Sequence, residues 1–204
     1  MIIGIDFDNT IADYTGVFHR VGVKLGWLPK QVGQTKEDVK AYFINTGNEP
    51  KWTELQGIVY GKEINQAKPY LGCLEAIKSL KKEGHSIFIV SHKTKYPIIG
   101  DKTNFHIAAT NWLKSHGFTN CTDGPIASEN ISFHEKQEIK IKRISTLQCD
   151  FFIDDLSSVL NSALFPLPTK KILFNQKPHP SIELNTSDWK KVHPMINSFI
   201  NRRS

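Results

Sequence analysis

The sequence has few cysteines and no long apolar run, and both absences narrow the kind of protein it encodes. Only three of its 204 residues are cysteines, Cys73, Cys121 and Cys149. Their odd number and wide spacing fit neither a disulfide framework nor a zinc site, so we expect reduced thiols in a cytoplasmic protein. No apolar stretch approaches the roughly 20 residues that a membrane-spanning helix needs. An apolar strand pattern begins at Ile2, so we expect no signal peptide.

The overall composition is that of an ordinary globular protein with a basic surface. Apolar residues make up 39% and charged residues 23% of the chain, and the formal net charge is +6. A chain of 204 residues is long enough for one core with a small additional domain. The positive charge favours an anionic partner, either a small phosphorylated metabolite or nucleic acid. Nucleic acid is the weaker hypothesis, because the lysines are scattered and are not interleaved with aromatic residues. Composition and charge do not predict an oligomeric state.

Strand and helix patterns alternate along most of the chain. Strands are predicted at Ile2–Phe7, Ser86–Val90, Asn130–Phe133, Phe151–Ile153 and Lys171–Phe174. Helices are predicted at Leu71–Lys82, Phe105–His116, Glu138–Leu147, Ser157–Leu164 and Trp189–Ile200. Ile107, Ala108 and Trp112 are expected to face the core. The alternation predicts an α/β fold with a Rossmann-like parallel sheet covered on both faces.

One segment, residues 14–68, breaks this alternation. It has no convincing strand, and it carries aromatic residues in helical patches separated by glycine and proline. A connection of this length between the first two strands is far beyond an ordinary strand-to-helix loop. We therefore predict a core domain of residues 1–13 and 69–204, with a small α-helical cap domain of residues 14–68 inserted after the first strand.

Acidic residues follow two of the predicted strands. Asp6, Asp8 and Thr10 come at the end of the first strand, and Asp154-Asp155 follow Phe151–Ile153. Ligands of open α/β sheets bind outside the carboxyl ends of the strands. Carboxylates this close together repel one another unless a cation or a shared proton relieves the repulsion. The sequence therefore predicts one divalent-cation site built from distant parts of the chain.

The order of these motifs resembles that of the haloacid dehalogenase-like (HAD) phosphohydrolase superfamily. The D-x-D-x-T motif at Asp6–Thr10 is followed by Ser91 after an apolar strand, by a lysine at the start of a helix, and by Asp154-Asp155. The resemblance covers residues 1–13 and 69–174. The layout, with helices inserted after the first strand, is similar to that of the deoxyribonucleotidase-like and small-metabolite phosphatases.

The resemblance implies a role for each motif residue. Asp6 would be the nucleophile that forms an aspartyl-phosphate. Asp8 would act first as general acid and then as general base. Thr10 would hold the geometry of the phosphate-binding loop. The Ser91 hydroxyl and the backbone N–H of His92 would bind oxygens of the transferring phosphoryl group.

The implied cofactor is Mg²⁺, a hard cation that prefers oxygen ligands. Asp6 and Asp154 would hold it through their carboxylates, and Asp8 would contribute its backbone carbonyl. Asp155 would act through water or orient the other ligands.

The site lysine has two candidates. Lys136 and Lys140 are four residues apart and can share one face of a helix. Lys140 stands at the more suitable distance before Asp154, whereas Lys136 lies nearer the preceding strand. Lys142 is expected to point elsewhere.

The function predicted from the sequence is a Mg²⁺-dependent phosphatase that hydrolyses a small phosphate monoester, either a nucleotide or a sugar phosphate, through an aspartyl-phosphate. Members of the HAD superfamily that cleave carbon–halogen or carbon–phosphorus bonds generally lack an acid at the position of Asp8, so the resemblance implies a phosphate-ester substrate. Lys93 or Lys95, in the basic loop after Ser91, is a candidate contact for a second anionic group of the substrate. The alternatives are phosphoryl transfer to an acceptor other than water, a phospho-accepting signalling module, and a nucleic-acid-binding protein without catalysis.

Overall fold

The computed structural model of the protein describes residues 1–119 and 123–201, so the thiol expected at Cys121 lies outside the described residues. The strands of the described chain are β1 (Ile2–Ile5), β2 (Ala12–Asp13), β3 (Lys68–Pro69), β4 (Ser86–His92), β5 (Ile131–His134), β6 (Phe151–Asp154), β7 (Lys170–Phe174) and β8 (Leu184–Thr186). The helices are α1 (Val17–Lys24), α2 (Lys36–Asn45), α3 (Glu49–Tyr60), α4 (Cys73–Lys82), α5 (Phe105–Ser115), α6 (Gln137–Leu147), α7 (Ser157–Leu160) and α8 (Trp189–Asn201). Two short 3₁₀ turns lie at Ile64–Gln66 and Ser128–Asn130.

Six of the strands form one parallel sheet in the order β5-β4-β1-β6-β7-β8. The chain leaves β1 towards β4 on one side and later returns to β6 on the other side. The strand order therefore reverses direction at β1, which is the position where open α/β sheets bind ligands. The predicted α/β class with a Rossmann-like parallel sheet is confirmed.

Helices of the sheet-bearing part bury apolar side chains against the strands. A cluster on one face joins strand residues to residues of α6, α7 and the following loops; its buried members are Val90, Ile144, Cys149, Phe152, Leu160, Phe165, Leu173 and Ile182. Gly4 sits in the middle of β1, paired with Phe152 of β6. A Cβ atom at Gly4 would lie 2.5 Å from the Phe152 ring, so the absence of a side chain makes room for this large residue.

Two details of the predicted elements were wrong. Ile107 is not a core residue, since it is 59% exposed, while Phe105, Ala109 and Trp112 are buried. The buried face of α5 follows the 105–109–112 spacing of a helix, which leaves Ile107 on the opposite side. Helix α7 ends at Leu160 instead of continuing to residue 164.

The chain divides into two compact units. The first consists of Met1–Ala12, Pro69–Lys93 and the chain from Leu113 onward, and it contains the whole parallel sheet. The second consists of Asp13–Lys68 and Thr94–Trp112. The second unit thus includes residues 94–112 as well as the segment 14–68 that the sequence marked as a cap.

Inside the second unit, α1, α2 and α3 pack around aromatic side chains. The ring centroid of Phe18 lies 5.3 Å from that of Trp52 and 5.5 Å from that of Tyr60. Helix α2 begins with a capping box in which the side chains of Thr35 and Asp38 each accept a backbone N–H of the other, an arrangement that fixes a helix start. The aromatic positions in this segment therefore mark a packed helical core.

Within residues 1–119 and 123–201, Cys73 and Cys149 are free and buried. None of the helices formed by these residues combines the length and the apolar character that a membrane crossing requires.

Candidate active site

The register of the sheet brings the acidic strand ends together. Ile5 of β1 is paired with Ile153 of β6, so Asp6 and Asp154 follow side by side at the same edge. Ile5 is also paired with Ile89 of β4, and Ser91 lies two residues further along that strand. Asp6, Ser91 and Asp154 therefore lie at the carboxyl ends of three adjacent parallel strands, at the same edge of the sheet.

The loop after β1 is held in a tight turn. Asn9 adopts a left-handed backbone conformation, with φ of 56°, which is uncommon for residues other than glycine. The N–H of Ile11 donates to the carbonyl of Phe7 at 3.0 Å. The buried indole N–H of Trp189 donates to the carbonyl of Thr10 at 2.7 Å. These bonds fix the backbone that carries the two aspartates of the motif.

Three carboxylates form a compact cluster at this edge. Asp6, Asp154 and Asp155 each offer an oxygen, and these oxygens lie within 4.8 Å of one another. Ligand oxygens of an octahedral Mg²⁺ ion, at about 2.1 Å from the metal, are roughly 3–4 Å apart. The cluster has the oxygen donors that such a cation prefers, and their separations of at most 4.8 Å are close to that spacing. It is the only acidic or histidine–cysteine group of this kind that the described residues form. The Asp8 carboxylate is not a member of it.

Lys140 ties two of these carboxylates together. Its Nζ atom lies 2.6 Å from Asp6 Oδ1 and 2.6 Å from Asp154 Oδ2, and its side chain is buried. Burial disfavours the charged form of a lysine, but the charges of Asp6 and Asp154 outweigh it and raise the pKa of Lys140 above its usual range. The structure does not bring the other candidate, Lys136, to the cluster. Lys136 is exposed and precedes the first residue of α6, while Lys142 is also exposed.

The cluster is electrostatically strained when its carboxylates are all charged. Burial raises the pKa of Asp6 to about 7. The attraction of Lys140 opposes this shift, while the repulsion from Asp154 adds to it. Burial and the neighbouring charges of Asp6 and Asp154 likewise raise the pKa of Asp155 well above its ordinary value. A bound divalent cation would stabilise the charged forms, so these acids fit a cation site.

Thr10 contacts Asp155. Its buried Oγ1 accepts the backbone N–H of Asp155 at 3.1 Å and lies 3.5 Å from Asp155 Oδ1. Thr10 therefore connects the loop after β1 to the loop after β6, which agrees with a role in holding the geometry.

Ser91 and His92 have different surroundings although they are neighbours. The Ser91 hydroxyl is buried and has no hydrogen-bond partner among the described residues. Such a group is costly unless a ligand or water satisfies it. The His92 ring is exposed, and its Nε2 lies 3.2 Å from the carbonyl of Glu135. The ring is therefore not part of the carboxylate cluster, and any phosphate contact of His92 falls to its backbone N–H.

Lys93 makes a contact that the sequence did not predict. The sequence places this residue in a basic loop, as a candidate contact for a second anionic group of the substrate. Its Nζ atom instead lies 2.7 Å from Asp8 Oδ2, and its side chain is only 3% exposed. The sequence signal for this contact is the position of Lys93, two residues after Ser91 and directly after β4, the strand that pairs with β1.

The chain is similar to known proteins in sequence and in fold. No protein-family model matches the chain. A curated Bacillus cereus protein named "Putative nucleotidase" is 25% identical over 173 residues, which cover 80% of this chain and 81% of that protein.

Solved structures with similar folds cover nearly the whole chain. A predicted phosphoglycolate phosphatase from Haemophilus somnus has a TM-score of 0.59 at 11% identity, covering 96% of this chain and 97% of its own. A HAD-family hydrolase from Deinococcus radiodurans, with bound phosphate and sodium, has a TM-score of 0.58 at 14% identity, covering 97% and 95%. A HAD-superfamily hydrolase from Geobacter sulfurreducens has a TM-score of 0.57 at 12% identity, covering 96% and 95%.

At these identities the likeness establishes the fold, and the names of these proteins agree with the predicted class of enzyme, a hydrolase. The resemblance inferred from the four motifs is confirmed: this chain has the fold of the haloacid dehalogenase-like hydrolases.

Proposed function

We propose that the protein is a Mg²⁺-dependent phosphatase that hydrolyses a small phosphate monoester through an aspartyl-phosphate. The observation that carries the proposal is the cluster of Asp6, Asp154 and Asp155, of which the first two are buried and the third is half-buried. Lys140 bridges Asp6 and Asp154 at 2.6 Å. Such charge crowding destabilises a fold that has no bound cation, so its presence favours a cation-binding function. These groups lie where the strand order reverses, at the same sheet edge as Ser91, whose hydroxyl has no hydrogen-bond partner among the described residues.

In the first step, a carboxylate oxygen of Asp6 attacks phosphorus. The bond from phosphorus to the leaving oxygen breaks, and its electron pair stays on that oxygen. Asp8 donates a proton to this oxygen, so that a neutral alcohol departs. The Lys140 ammonium, which already contacts Asp6, offsets negative charge on the nucleophile and on the phosphoryl group.

In the second step, the Asp8 carboxylate takes a proton from water while the water oxygen bonds to phosphorus. The acyl-phosphate bond breaks, and Asp6 is restored together with inorganic phosphate. The Ser91 hydroxyl would donate to a phosphoryl oxygen and thereby gain the partner that it lacks among residues 1–119 and 123–201.

Asp6, Asp154 and Asp155 would hold Mg²⁺, with the carbonyl of Asp8 as a further ligand. When bound, the cation supplies positive charge that offsets the crowding of carboxylates and phosphate.

For the substrate, a nucleotide is favoured over a sugar phosphate. The support is the name of the Bacillus cereus protein, which is 25% identical over most of both chains. We also propose that α1–α3 act as a cap that governs access, as the position of this segment after β1 suggests. A cytoplasmic location would suit the free thiols Cys73 and Cys149.

The test is phosphate release from p-nitrophenyl phosphate, from nucleoside monophosphates and from sugar phosphates, each with Mg²⁺ and with a chelator. Wild type is compared with Asp6→Asn and with Glu129→Gln, which removes a negative charge from an exposed position. We expect Mg²⁺-dependent turnover in wild type and in Glu129→Gln, and a loss of at least about 1,000-fold in Asp6→Asn.

Two results would change the proposal. Turnover that persists in Asp6→Asn would remove Asp6 as nucleophile. Formation of a phosphorylated alcohol in preference to phosphate, in reactions with added glycerol or a nucleoside, would replace the hydrolase with a phosphotransferase.

A further inference from the structure

Lys93 is a second buried lysine at the candidate site, in addition to Lys140. Its side chain is 3% exposed, and its Nζ atom lies 2.7 Å from Asp8 Oδ2. Lysines are almost never buried to this extent without an opposite charge beside them. Asp8 provides that charge, although its own side chain is 19% exposed.

Both ends of Lys93 are fixed. Its backbone N–H donates to the carbonyl of His134 at 2.9 Å, directly after the last residue pair of the β4–β5 ladder. Its ammonium group lies 5.5 Å from the centroid of the Phe7 ring, within the range of a cation–π interaction. Lys93 thus starts from a rigid strand end and reaches the residue that lies between the two aspartates of the motif.

The two lysines contact three of the four carboxylates of the site, and they contact different ones. Lys140 contacts Asp6 and Asp154, which belong to the candidate cation cluster. Lys93 contacts Asp8, whose carboxylate stands outside that cluster. The contact uses only one oxygen of Asp8. Its other oxygen, Oδ1, is buried and has no hydrogen-bond partner in the described part of the chain.

From this geometry we propose that Lys93 is a positioning residue that holds Asp8 Oδ2 and so presents Oδ1 for proton transfer. The inference rests on the phosphatase function proposed above. Oδ1 would carry the proton that passes to the leaving oxygen as the bond from phosphorus to that oxygen breaks. It would then accept a proton from the attacking water.

A positioning role has a signature that a structural role lacks. A p-nitrophenolate leaving group is stable without protonation, whereas an alkoxide is not. Misplacing the proton donor therefore slows the cleavage of alkyl phosphates much more than that of p-nitrophenyl phosphate. Loss of folding, or loss of the cation, slows both substrates equally.

The experiment compares kcat/KM of wild type, Lys93→Met and Lys142→Met on p-nitrophenyl phosphate and on the best nucleoside monophosphate. Lys142 lies exposed on α6 and gives a matched control. For Lys93→Met we expect a loss of about 100-fold on the nucleotide and about threefold on the aryl ester. Mg²⁺ affinity, measured by titration calorimetry, should remain within about twofold of wild type because the cation cluster is untouched. Lys142→Met should match wild type.

A second variant keeps the test valid if Lys93→Met does not fold, as judged by circular dichroism. Lys93→Arg keeps the charge but moves the donor atoms, and we expect a smaller loss with the same preference for the alkyl ester. Equal losses on both substrates in a folded variant, or no loss on either, would overturn the positioning role while leaving the phosphatase intact. A wild-type protein that hydrolyses neither ester with Mg²⁺ would overturn the proposed function and the role of Lys93 together.

Discussion

Replacing Asp6 with asparagine is expected to abolish turnover and, at the same time, to stabilise the metal-free protein. Asp6 is 5% exposed, and burial raises the pKa of its carboxyl from 3.8 to about 7 in spite of the contact with Lys140. A folded state with such a carboxyl charged is less stable than one with a neutral isostere. In the protein without a bound cation, the charged Asp6 carboxylate is therefore expected to lower the free energy of unfolding.

The direction in which pH changes the free energy of unfolding follows from proton binding to Asp6. Between about pH 4 and pH 7, the folded chain keeps a proton on Asp6 that the unfolded chain has already released, so the free energy of unfolding falls as the pH rises. Above pH 7 the folded chain carries the full cost of the charge. The difference between the two pKa values corresponds to roughly 4 kcal/mol. An asparagine must also satisfy its own buried NH₂ group, so we expect a gain of about 2 kcal/mol at pH 8.

The assay is urea unfolding followed by circular dichroism, in the presence of a chelator, at pH 5, 6, 7 and 8. The difference in free energy of unfolding between Asp6→Asn and wild type should grow with pH. Glu129→Gln should differ from wild type by a constant, small amount. Added Mg²⁺ should stabilise wild type more than Asp6→Asn, because it binds the folded state through the charged cluster.

The reasoning would be refuted by an Asp6→Asn variant that is less stable than wild type at pH 8 by about 1 kcal/mol or more. In that case the pair of Asp6 with Lys140 stabilises the fold outright, and the desolvation argument for the cluster fails. A difference that does not change between pH 5 and pH 8 would show that Asp6 has an ordinary pKa.

Two further predictions concern Lys140 and Ser91, two other residues of the candidate site. Lys140→Met removes the ammonium group that contacts both Asp6 and Asp154. We therefore expect the free energy of unfolding to fall by about 3–5 kcal/mol at pH 8 with chelator. Urea unfolding checks this, and a loss below about 1 kcal/mol would contradict it. Ser91→Ala removes a buried hydroxyl that has no partner within the described residues, so stability should stay the same or rise by about 1 kcal/mol. Its KM for a phosphate ester should nevertheless rise about 10-fold, because a hydrogen bond to a charged group is lost; an unchanged KM would exclude the hydroxyl as a phosphate ligand.

The sheet and its acidic edge could be predicted because both leave a local signal. Strands buried on both faces appear as short apolar runs. Asp6 directly follows Ile2–Ile5, and Phe151–Asp154 ends in an acid. Parallel pairing then places those acids together without any further information. Strand β8 left no such signal, since Leu184–Thr186 is short and has a polar residue at its centre.

The extent of the second unit could not be predicted, because it depends on contacts between distant segments. Residues 94–112 follow Ser91 in the chain and look like an ordinary loop and helix. In the structure they belong with residues 13–68. One of these contacts is the bond from the indole N–H of Trp112 to the carbonyl of Ala67, at 3.1 Å. A buried tryptophan N–H needs a partner, but its sequence context does not say which carbonyl provides it.

The choice between Lys136 and Lys140 depended on a helix boundary, which a sequence pattern locates only to within a few residues. A spacing of four puts both lysines on one face only if the helix includes both. Helix α6 begins at Gln137, and Lys136 has an extended backbone with φ of −130°. Lys140 lies in the first turn, where its side chain reaches both Asp6 and Asp154. A boundary one turn earlier would have left the alternatives open, so the position of the helix start decides which lysine completes the site.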